Sequence, residues 1–134
     1  MYTAEETYEE LCQLLEDLRS LPSRVVILVE GPKDEACLRK LGVGSPIIRV
    51  HSSRTLHAEL APFDEVVILT DYDREGRRLA RSSQETARSF GVTPNLQFRS
   101  EIRRITTGEI SHVEGLYTYL THLRRELYPR ATRA

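Results

Sequence analysis

Two apolar runs in this sequence each end abruptly in acidic side chains. Residues 66–69 read Val-Val-Ile-Leu and are followed, after one threonine, by Asp71, Asp73 and Glu75 at alternate positions. In an extended chain alternate side chains share a face, so the two aspartates can reach one point in space. Carboxylate oxygens that converge are the hard ligands that Mg²⁺ and Mn²⁺ take in proteins. The spacing therefore predicts a divalent metal site.

The same arrangement occurs once earlier in the chain. Residues 25–29 read Val-Val-Ile-Leu-Val and lead into Glu30, Gly31 and Asp34. Continuous runs of this kind are typical of buried parallel strands, and the ligands of open α/β sheets bind at the carboxyl ends of the strands. A single acid after a strand is more often a loop residue or a helix cap, which is a natural role for Asp34. Two acidic strand ends in order favour one shared cleft.

The segments EGPKD (residues 30–34) and DYDREG (residues 71–76) resemble the two signature motifs of the Toprim domain. That family includes type IA topoisomerases, bacterial primases, the ribonuclease that matures 5S ribosomal RNA, and small stand-alone proteins. The resemblance covers about residues 24–98, with about forty residues between the motifs. It implies the Toprim fold, which is Rossmann-like, and a Mg²⁺-dependent reaction on nucleic acid.

The resemblance also implies roles for individual residues. In the family, the glutamate that ends the first strand is a general acid/base or a metal ligand, and the two aspartates of the second motif hold Mg²⁺. Carried over, these roles make Glu30, Asp71 and Asp73 the candidate catalytic residues and metal ligands. Glu75 matches a further acid in the topoisomerase version of the motif and is a candidate ligand for a second ion. The strand-passage regions of the topoisomerases have no counterpart here, so topoisomerase activity is not expected of this chain alone.

Basic residues beside the motifs are candidates for contact with substrate phosphate. They are Lys33, Arg74, Arg77 and Arg78. An equally good interpretation of Lys33 and Arg74 is that they neutralise the acids next to them. The net charge is only −1, but arginines concentrate in the half of the chain that follows the second motif. This distribution slightly favours a nucleic-acid partner over an ordinary solvated helix face.

Helix-like and strand-like patterns alternate along the chain. Strands are predicted at residues 24–30, 46–50, 65–71 and 96–99, and helices at 5–18, 34–41, 74–90 and 112–127, with a short helix that ends at Leu60. Such alternation predicts right-handed crossovers and an α/β fold with a parallel sheet of about four strands. In the order 2-1-3-4, shared by flavodoxin-like sheets and the Toprim family, the first and third strands flank the topological switch point. Glu30 and Asp71 end those two strands.

Composition is that of a soluble globular protein, with 134 residues of which 40% are hydrophobic and 29% charged. We expect one domain over residues 1–134, with the Toprim core at about 24–98, an N-terminal helix at 3–20 and a C-terminal helical extension at 100–134. No stretch approaches the roughly 18 apolar residues that span a membrane, and the polar start is no signal peptide. We therefore expect a cytoplasmic protein without membrane contact.

The remaining polar side chains offer weaker candidates. Of the histidines, only His51 follows a strand on the cleft side, and a surface or capping role is more frequent for such a residue. Tyr72, between the two aspartates, should point to the opposite face and pack there. The other acid/base alternatives are His57, His112 and His122. A further candidate at the border of the cleft is Glu114. The tyrosines that could stack on bases are Tyr117, Tyr119 and Tyr128. Burial or partial burial is the more frequent outcome for those tyrosines than stacking on bases.

The leading functional hypothesis is Mg²⁺-dependent phosphotransfer on nucleic acid, in the form of phosphodiester cleavage by a small nuclease that processes RNA. Glu30, Asp71 and Asp73 would bring about three negative charges together, and these repel unless Mg²⁺ or Mn²⁺ neutralises them. One alternative is a non-catalytic module that binds nucleic acid or regulates. Another is an accessory subunit of a primase or repair complex. Its sequence clue is the apolar stripe of the first helix, at Leu11, Leu14, Leu15 and Leu18, although packing on the chain's own sheet explains that stripe more simply. The motifs favour the enzyme.

Overall fold

The computed structural model describes residues 2–52 and 55–130, with only the backbone of Ser52. Ser53 and Arg54, between the second strand and the predicted short helix, and residues 131–134 of the predicted C-terminal extension lie outside the described residues. The strands are β1 (Val25–Val29), β2 (Ile47–Arg49), β3 (Glu65–Ile68) and β4 (Thr93–Asn95). The α-helices are α1 (Ala4–Arg19), α2 (Pro32–Lys40), α3 (Leu56–Leu60), α4 (Arg74–Ser89), α5 (Gln97–Ile105) and α6 (Leu116–Leu127).

The described strands form one parallel sheet in the order β2-β1-β3-β4. This confirms the predicted α/β fold and the predicted strand order. The switch point lies between β1 and β3, whose paired residues include Leu28 and Ile68. Because parallel neighbours end at the same edge of a sheet, the residues that follow β1 and β3 are brought together.

Helices cover both faces of the sheet, which explains the continuous apolar runs. All five residues of β1 are buried. Val25, Ile27 and Val29 pack against α1, α2, α5 and α6 on one face. Val26 and Leu28 pack against α3 and α4 on the other face. A strand that is buried on both sides needs apolar residues at every position rather than at alternate ones.

The predicted strand at residues 96–99 is wrong. The edge strand β4 lies earlier, and its Pro94 is paired with Val66 of β3. Proline is tolerated at a sheet edge because one side of the strand makes no ladder hydrogen bonds. The segment from Gln97 belongs to α5, whose Phe98 and Ile102 pack on the same face as α1. The Arg99 side chain of this helix reaches the second motif, whereas the strand prediction would have placed it elsewhere.

The last predicted helix begins later than expected. A 3₁₀ turn at Val113–Gly115 precedes α6. This turn packs against α2 and so returns the chain to the sheet edge where β1 and β3 end. No helix in the described parts of the chain combines the length and the apolar character needed to cross a membrane.

Candidate metal and catalytic site

The ends of β1 and β3 place Glu30 and Asp71 side by side. Glu30 Oε2 accepts a hydrogen bond of 2.7 Å from the backbone N–H of Asp71. The two residues are 7% and 8% exposed, respectively. The two acidic strand ends thus lie in one cleft, at the switch point of the sheet.

A cavity of about 250 Å³ opens at this edge of the sheet. Its lining comes from both motifs, from the segment after β2 and from the turn before α6. The lining residues are Glu30, Gly31, Pro32, Lys33, Asp34, His51, Asp71, His112 and Glu114. Four of them are acidic, and Glu114 borders the cleft as the sequence suggested. The cavity is therefore a small, mainly anionic opening next to two buried carboxylates.

The junction between β1 and α2 is closed by local hydrogen bonds. Gly31 is the N-cap of α2 rather than Asp34, which is the third residue of the helix and accepts a hydrogen bond of 3.0 Å from the Gly31 backbone N–H. Asp34 is buried at 5% exposure. Within the described part of the chain, a Cβ placed on Gly31 would meet only His51 Nδ1, at 4.0 Å. The backbone here therefore has room for a side chain at the glycine position.

The junction between β3 and α4 is far tighter. Asp73 caps α4, its Oδ1 accepting a hydrogen bond of 2.7 Å from the backbone N–H of Gly76. The Thr70 hydroxyl donates to the Gly76 carbonyl at 2.7 Å. A Cβ on Gly76 would lie 1.9 Å from the carbonyl oxygen of Asp71. Only glycine fits there, because the backbone of the first aspartate occupies the space.

The carboxylates of the cavity disfavour one another's charge. Burial raises the pKa of Glu30, and the neighbouring charges of Asp71, Asp73 and Asp34 raise it further, against the hydrogen bond from the Asp71 amide. Burial also raises the pKa of Asp34, with Asp71 and Glu114 adding to the effect. A group of acids in this state gains from binding either a proton or a cation.

The C-terminal part of the chain supplies groups to Asp71 that sequence reasoning set aside. Asp71 Oδ1 accepts a hydrogen bond of 2.7 Å from the backbone N–H of Val113, and Oδ2 lies 3.1 Å from His112 Nδ1. The hydrogen bond with Asp71 raises the pKa of His112. His51, which its position after a strand singled out, has Nε2 3.9 Å from Glu30 Oε1. Both histidines lie at the site, but His112 is the one within hydrogen-bonding distance of a motif carboxylate.

Arg99 of α5 holds the backbone of the second motif. Its Nε donates to the Thr70 carbonyl at 3.0 Å and its Nη2 to the Asp71 carbonyl at 2.6 Å. Its guanidinium also lies over the ring of Tyr72, with Cζ 4.8 Å from the ring centroid. Tyr72 is buried in the core and donates its hydroxyl to the Arg99 carbonyl at 2.7 Å, so its predicted packing away from the aspartates is confirmed. Arg99 was not among the predicted site residues, because the strand assignment at 96–99 hid its direction.

The other predicted cations and Glu75 divide into two kinds. Glu75 is exposed and forms a double hydrogen bond with Arg78, with distances of 2.9 and 2.5 Å, which lowers the pKa of Glu75. Arg77 donates to the Tyr72 carbonyl at 2.8 Å. The side chains of Lys33 and Arg74 form no ion pair or hydrogen bond within residues 2–52 and 55–130. Those two are therefore available to an anion, whereas Arg77 and Arg78 already have partners.

The donor set fits an open Mg²⁺ site. Among the residues that the structure describes, no three acidic, histidine or cysteine side chains form a group that could enclose a metal ion. Asp71 and Asp73 each use one oxygen on a backbone amide, which leaves the second oxygen of Asp73 without such a bond. Mg²⁺ keeps several waters and binds through one or two carboxylates plus substrate phosphates. An anionic cleft with an incomplete ligand set agrees with that preference, and the raised pKa of Glu30 agrees with a need for positive charge.

Known proteins are similar to this chain in sequence and in architecture. The sequence profile of the Toprim domain matches residues 25–105. The chain belongs to the Toprim family. The matched region contains both motifs and extends through α5, so it includes Arg99. Membership in the Toprim family implies a metal-dependent function connected with nucleic acid.

Relatives of this Toprim protein occur in archaea. A UPF0292 protein of Methanosarcina acetivorans is 40% identical over 122 residues, covering 89% of this chain and 83% of the relative. A UPF0292 protein of Pyrococcus horikoshii is 35% identical over 128 residues, covering 92% and 94%. The solved structure of a putative protein from Aquifex aeolicus has a TM-score of 0.65 and 24% identity, covering 76% of this chain and 94% of that one. The relatives' name states no activity, and the structural likeness is one of fold.

Proposed function

We propose that this Toprim protein is a Mg²⁺-dependent nuclease that cleaves phosphodiester bonds, of the kind that processes RNA. One observation carries the proposal: the hydrogen bond of 2.7 Å from the Asp71 amide to Glu30 Oε2 joins the acids of two distant motifs at one cavity. A site that only stabilised the fold would gain nothing from clustered carboxylates, because their mutual repulsion costs free energy. Such clusters, with shifted pKa values in a cleft, are typical of functional sites.

Glu30 would transfer a proton in this proposal. Burial and neighbouring acids raise its pKa, which brings its protonation equilibrium closer to neutral pH than that of an ordinary glutamate. A general acid or base is most effective when its pKa lies near the working pH. Glu30 lines the cavity, where it can deliver a proton to a leaving oxygen or take one from an attacking water.

Asp71 and Asp73 would hold Mg²⁺, and the Glu30 carboxylate beside Asp71 would add negative charge that favours the ion. When bound there, the ion would supply Lewis-acid polarisation of a phosphoryl oxygen and a lowered pKa for a coordinated water. The hydrogen bonds from Val113 and Gly76 fix one oxygen of each aspartate and so orient the carboxylates before a ligand arrives. To bind the ion through its second oxygen, Asp71 would release His112. Glu75 would act as a ligand for a second ion only after releasing Arg78, since both of its oxygens are engaged.

Lys33 and Arg74 would bind substrate phosphate beside the metal. Lys33 lines the cavity, and Arg74 is the first residue of α4, directly after Asp73. Both lie next to an acidic motif, so a phosphate held by them would sit close to the carboxylates. Arg77 and Arg78 would contact phosphate only by giving up the partners they have in this structure.

The alternative of an accessory subunit loses its sequence support. An apolar stripe on α1 suggested a larger partner, but Leu11, Leu15 and Leu18 of that stripe are fully buried within this chain. A non-catalytic binding module stays as the competing function, and the test below separates it from the nuclease.

The test is a Mg²⁺ and Mn²⁺ titration of the pure protein with labelled RNA and DNA substrates. Metal-dependent cleavage should fall by about 10²- to 10⁴-fold in Glu30→Gln and Asp71→Asn, and it should persist in Arg88→Gln, a matched change at the exposed far end of α4. Thermal melting establishes that each variant is folded. Absence of metal-dependent cleavage across the panel would contradict the nuclease. Nucleic-acid binding that survives EDTA and both acid-to-amide changes would then support the binding module.

A further inference from the structure

A second groove leads away from the catalytic cavity, between α2 and α6. Its volume is about 460 Å³, larger than that of the cavity. Lys33 and Glu114 line both spaces, so the two openings are adjacent. A polymeric ligand with one phosphate in the cavity therefore has a path along α2 for the residues that flank this phosphate.

We propose that this groove binds a single-stranded segment of nucleic acid, with Tyr117 stacking on a base and Lys33 and Lys40 binding the backbone. The proposal deepens the nuclease proposal and rests on it for the direction of the strand toward the cavity. It adds Tyr117 and Lys40 to the residues that contact the substrate, and it names the substrate class as single-stranded.

Tyr117 has the exposure that a stacking platform needs. It is 38% exposed on α6, so its ring is only partly buried, whereas Tyr119 of the same helix packs against the core. The Nζ of Lys40 lies 5.5 Å from the centroid of the Tyr117 ring. An exposed ring and a cation are the combination with which proteins bind single strands, because the ring stacks on a base while the cation meets a phosphate. Lys40 lies over one face of the ring in this structure, so a base stacked on that face would displace the ammonium toward a phosphate.

Both lysines of the sequence line this groove. The chain has 19 basic residues, and Lys33 and Lys40 are its only lysines. They lie seven residues apart at the two ends of α2, which places them about 10 Å apart along one side of the helix. Neither forms an ion pair with an acid within the described residues, whereas Arg39 between them is bonded to the carbonyls of Val43 and Ser45.

The charge along the groove suits a strand that continues from the cavity. Glu114 is the acid among the lining residues, and it lies on the side shared with the cavity. Its charge would repel a phosphate there and favour phosphate positions near the two lysines. A base must be unstacked to lie on Tyr117, so a continuous duplex does not satisfy this surface and a single strand does.

Fluorescence anisotropy with fluorescein-labelled oligo(dT) and oligo(U) of about fifteen nucleotides, in EDTA, tests the proposal without relying on cleavage. Tyr117→Ala should weaken binding of both probes by about 5- to 10-fold, and Tyr117→Phe should bind like the wild type. Lys40→Gln should reduce the slope of log affinity against log salt by about 0.7. The matched control is Tyr128→Ala, since Tyr128 is 42% exposed at the end of the same helix and outside the groove.

Unchanged binding in Tyr117→Ala, an equal loss in Tyr128→Ala, or the same Tyr117 dependence for a blunt duplex probe would overturn the groove proposal. If Tyr117→Ala fails to fold, the salt slope of Lys40→Gln decides. Failures of the two proposals are distinguishable. Tyr117-dependent binding without any cleavage would contradict the nuclease proposal and support the groove proposal. Asp71-dependent cleavage with Tyr117-independent binding would contradict the groove proposal and support the nuclease proposal.

Discussion

The two strand-to-helix junctions of the site are alike in sequence and differ in what holds them. The junction after β1 is closed from within its own segment by Asp34, which bonds the Gly31 amide. The junction after β3 also has its own cap, Asp73, but distant residues complete it: Arg99 from α5 bonds its carbonyls, and the turn before α6 bonds Asp71 through Val113. The cap of the first junction is thus local, although the His51 amide also donates to the Glu30 carbonyl at 3.1 Å. The second junction takes hydrogen bonds from the C-terminal third of the chain, and Arg99 lies just beyond the predicted core of about 24–98.

Exchange of each motif glycine for alanine should give the largest contrast between the junctions. Gly76→Ala should lower the free energy of unfolding by about 3 kcal/mol or more, because the new Cβ would lie 1.9 Å from the Asp71 carbonyl oxygen and the backbone must shift. Gly31→Ala should cost less than about 1 kcal/mol, because the nearest atom, His51 Nδ1, is 4.0 Å away. Urea denaturation of the two variants measures both values. Similar losses would show that the two junctions are equally constrained.

Removal of the distant clamp should have an intermediate effect. Arg99→Met leaves the carbonyls of Thr70 and Asp71 without their donor and should cost about 2 kcal/mol. The matched control is Arg103→Met. Arg103 lies on the same helix as Arg99, and its guanidinium carbon is 5.6 Å from the centroid of the Tyr72 ring. Because that contact is a cation–π interaction at an exposed position, its loss should cost less than about 1 kcal/mol. If the two variants melt alike, the clamp does not hold the second junction.

The pH dependence of the metal-free protein should show the smallest effect. The raised pKa of Glu30 means that the native state binds more protons than the unfolded chain, in which glutamates have a pKa of about 4.3. Stability in EDTA therefore falls as pH rises from that value through the folded pKa. Glu30→Gln should melt above the wild type at pH 7, and the difference should shrink toward about pH 4.

The control for this pH series is Glu9→Gln, since Glu9 is an exposed glutamate of α1. Its difference from the wild type should not follow the pH trend of Glu30→Gln. A constant difference between Glu30→Gln and the wild type at every pH would mean that the Glu30 carboxyl is not destabilised by its surroundings.

The sequence predicted the parts of the fold that depend on local pattern. The apolar runs of β1 and β3 and the leucine stripe of α1 were located correctly, because periodicity alone decides burial there. The strand prediction at 96–99 failed because Leu-Gln-Phe-Arg alternates like a strand and is also the first turn of a helical stripe. The stripe continues through Ile102, four residues after Phe98, and Ile105, three residues further on, and that longer window favours the helix.

The site was predictable where it follows from strand ends and not where it depends on loops. Glu30 and Asp71 meet because parallel strands end at one edge of the sheet, which topology alone requires. The approach of His112 and Val113 to Asp71 has no local signal, since it is set by how the chain returns after α5. The exposure of Tyr117 was likewise beyond periodicity, because the residue lies at the margin between the apolar and polar faces of α6.

The central claim is that the acids of both motifs jointly bind one divalent cation, and isothermal titration of the protein with Mn²⁺ tests it most directly. The wild type should bind the ion, and Asp71→Asn and Glu30→Gln should each weaken binding by at least about tenfold, or about 1.4 kcal/mol. Glu9→Gln should bind like the wild type. Equal affinity in all four proteins, or no binding by the wild type, would contradict the account.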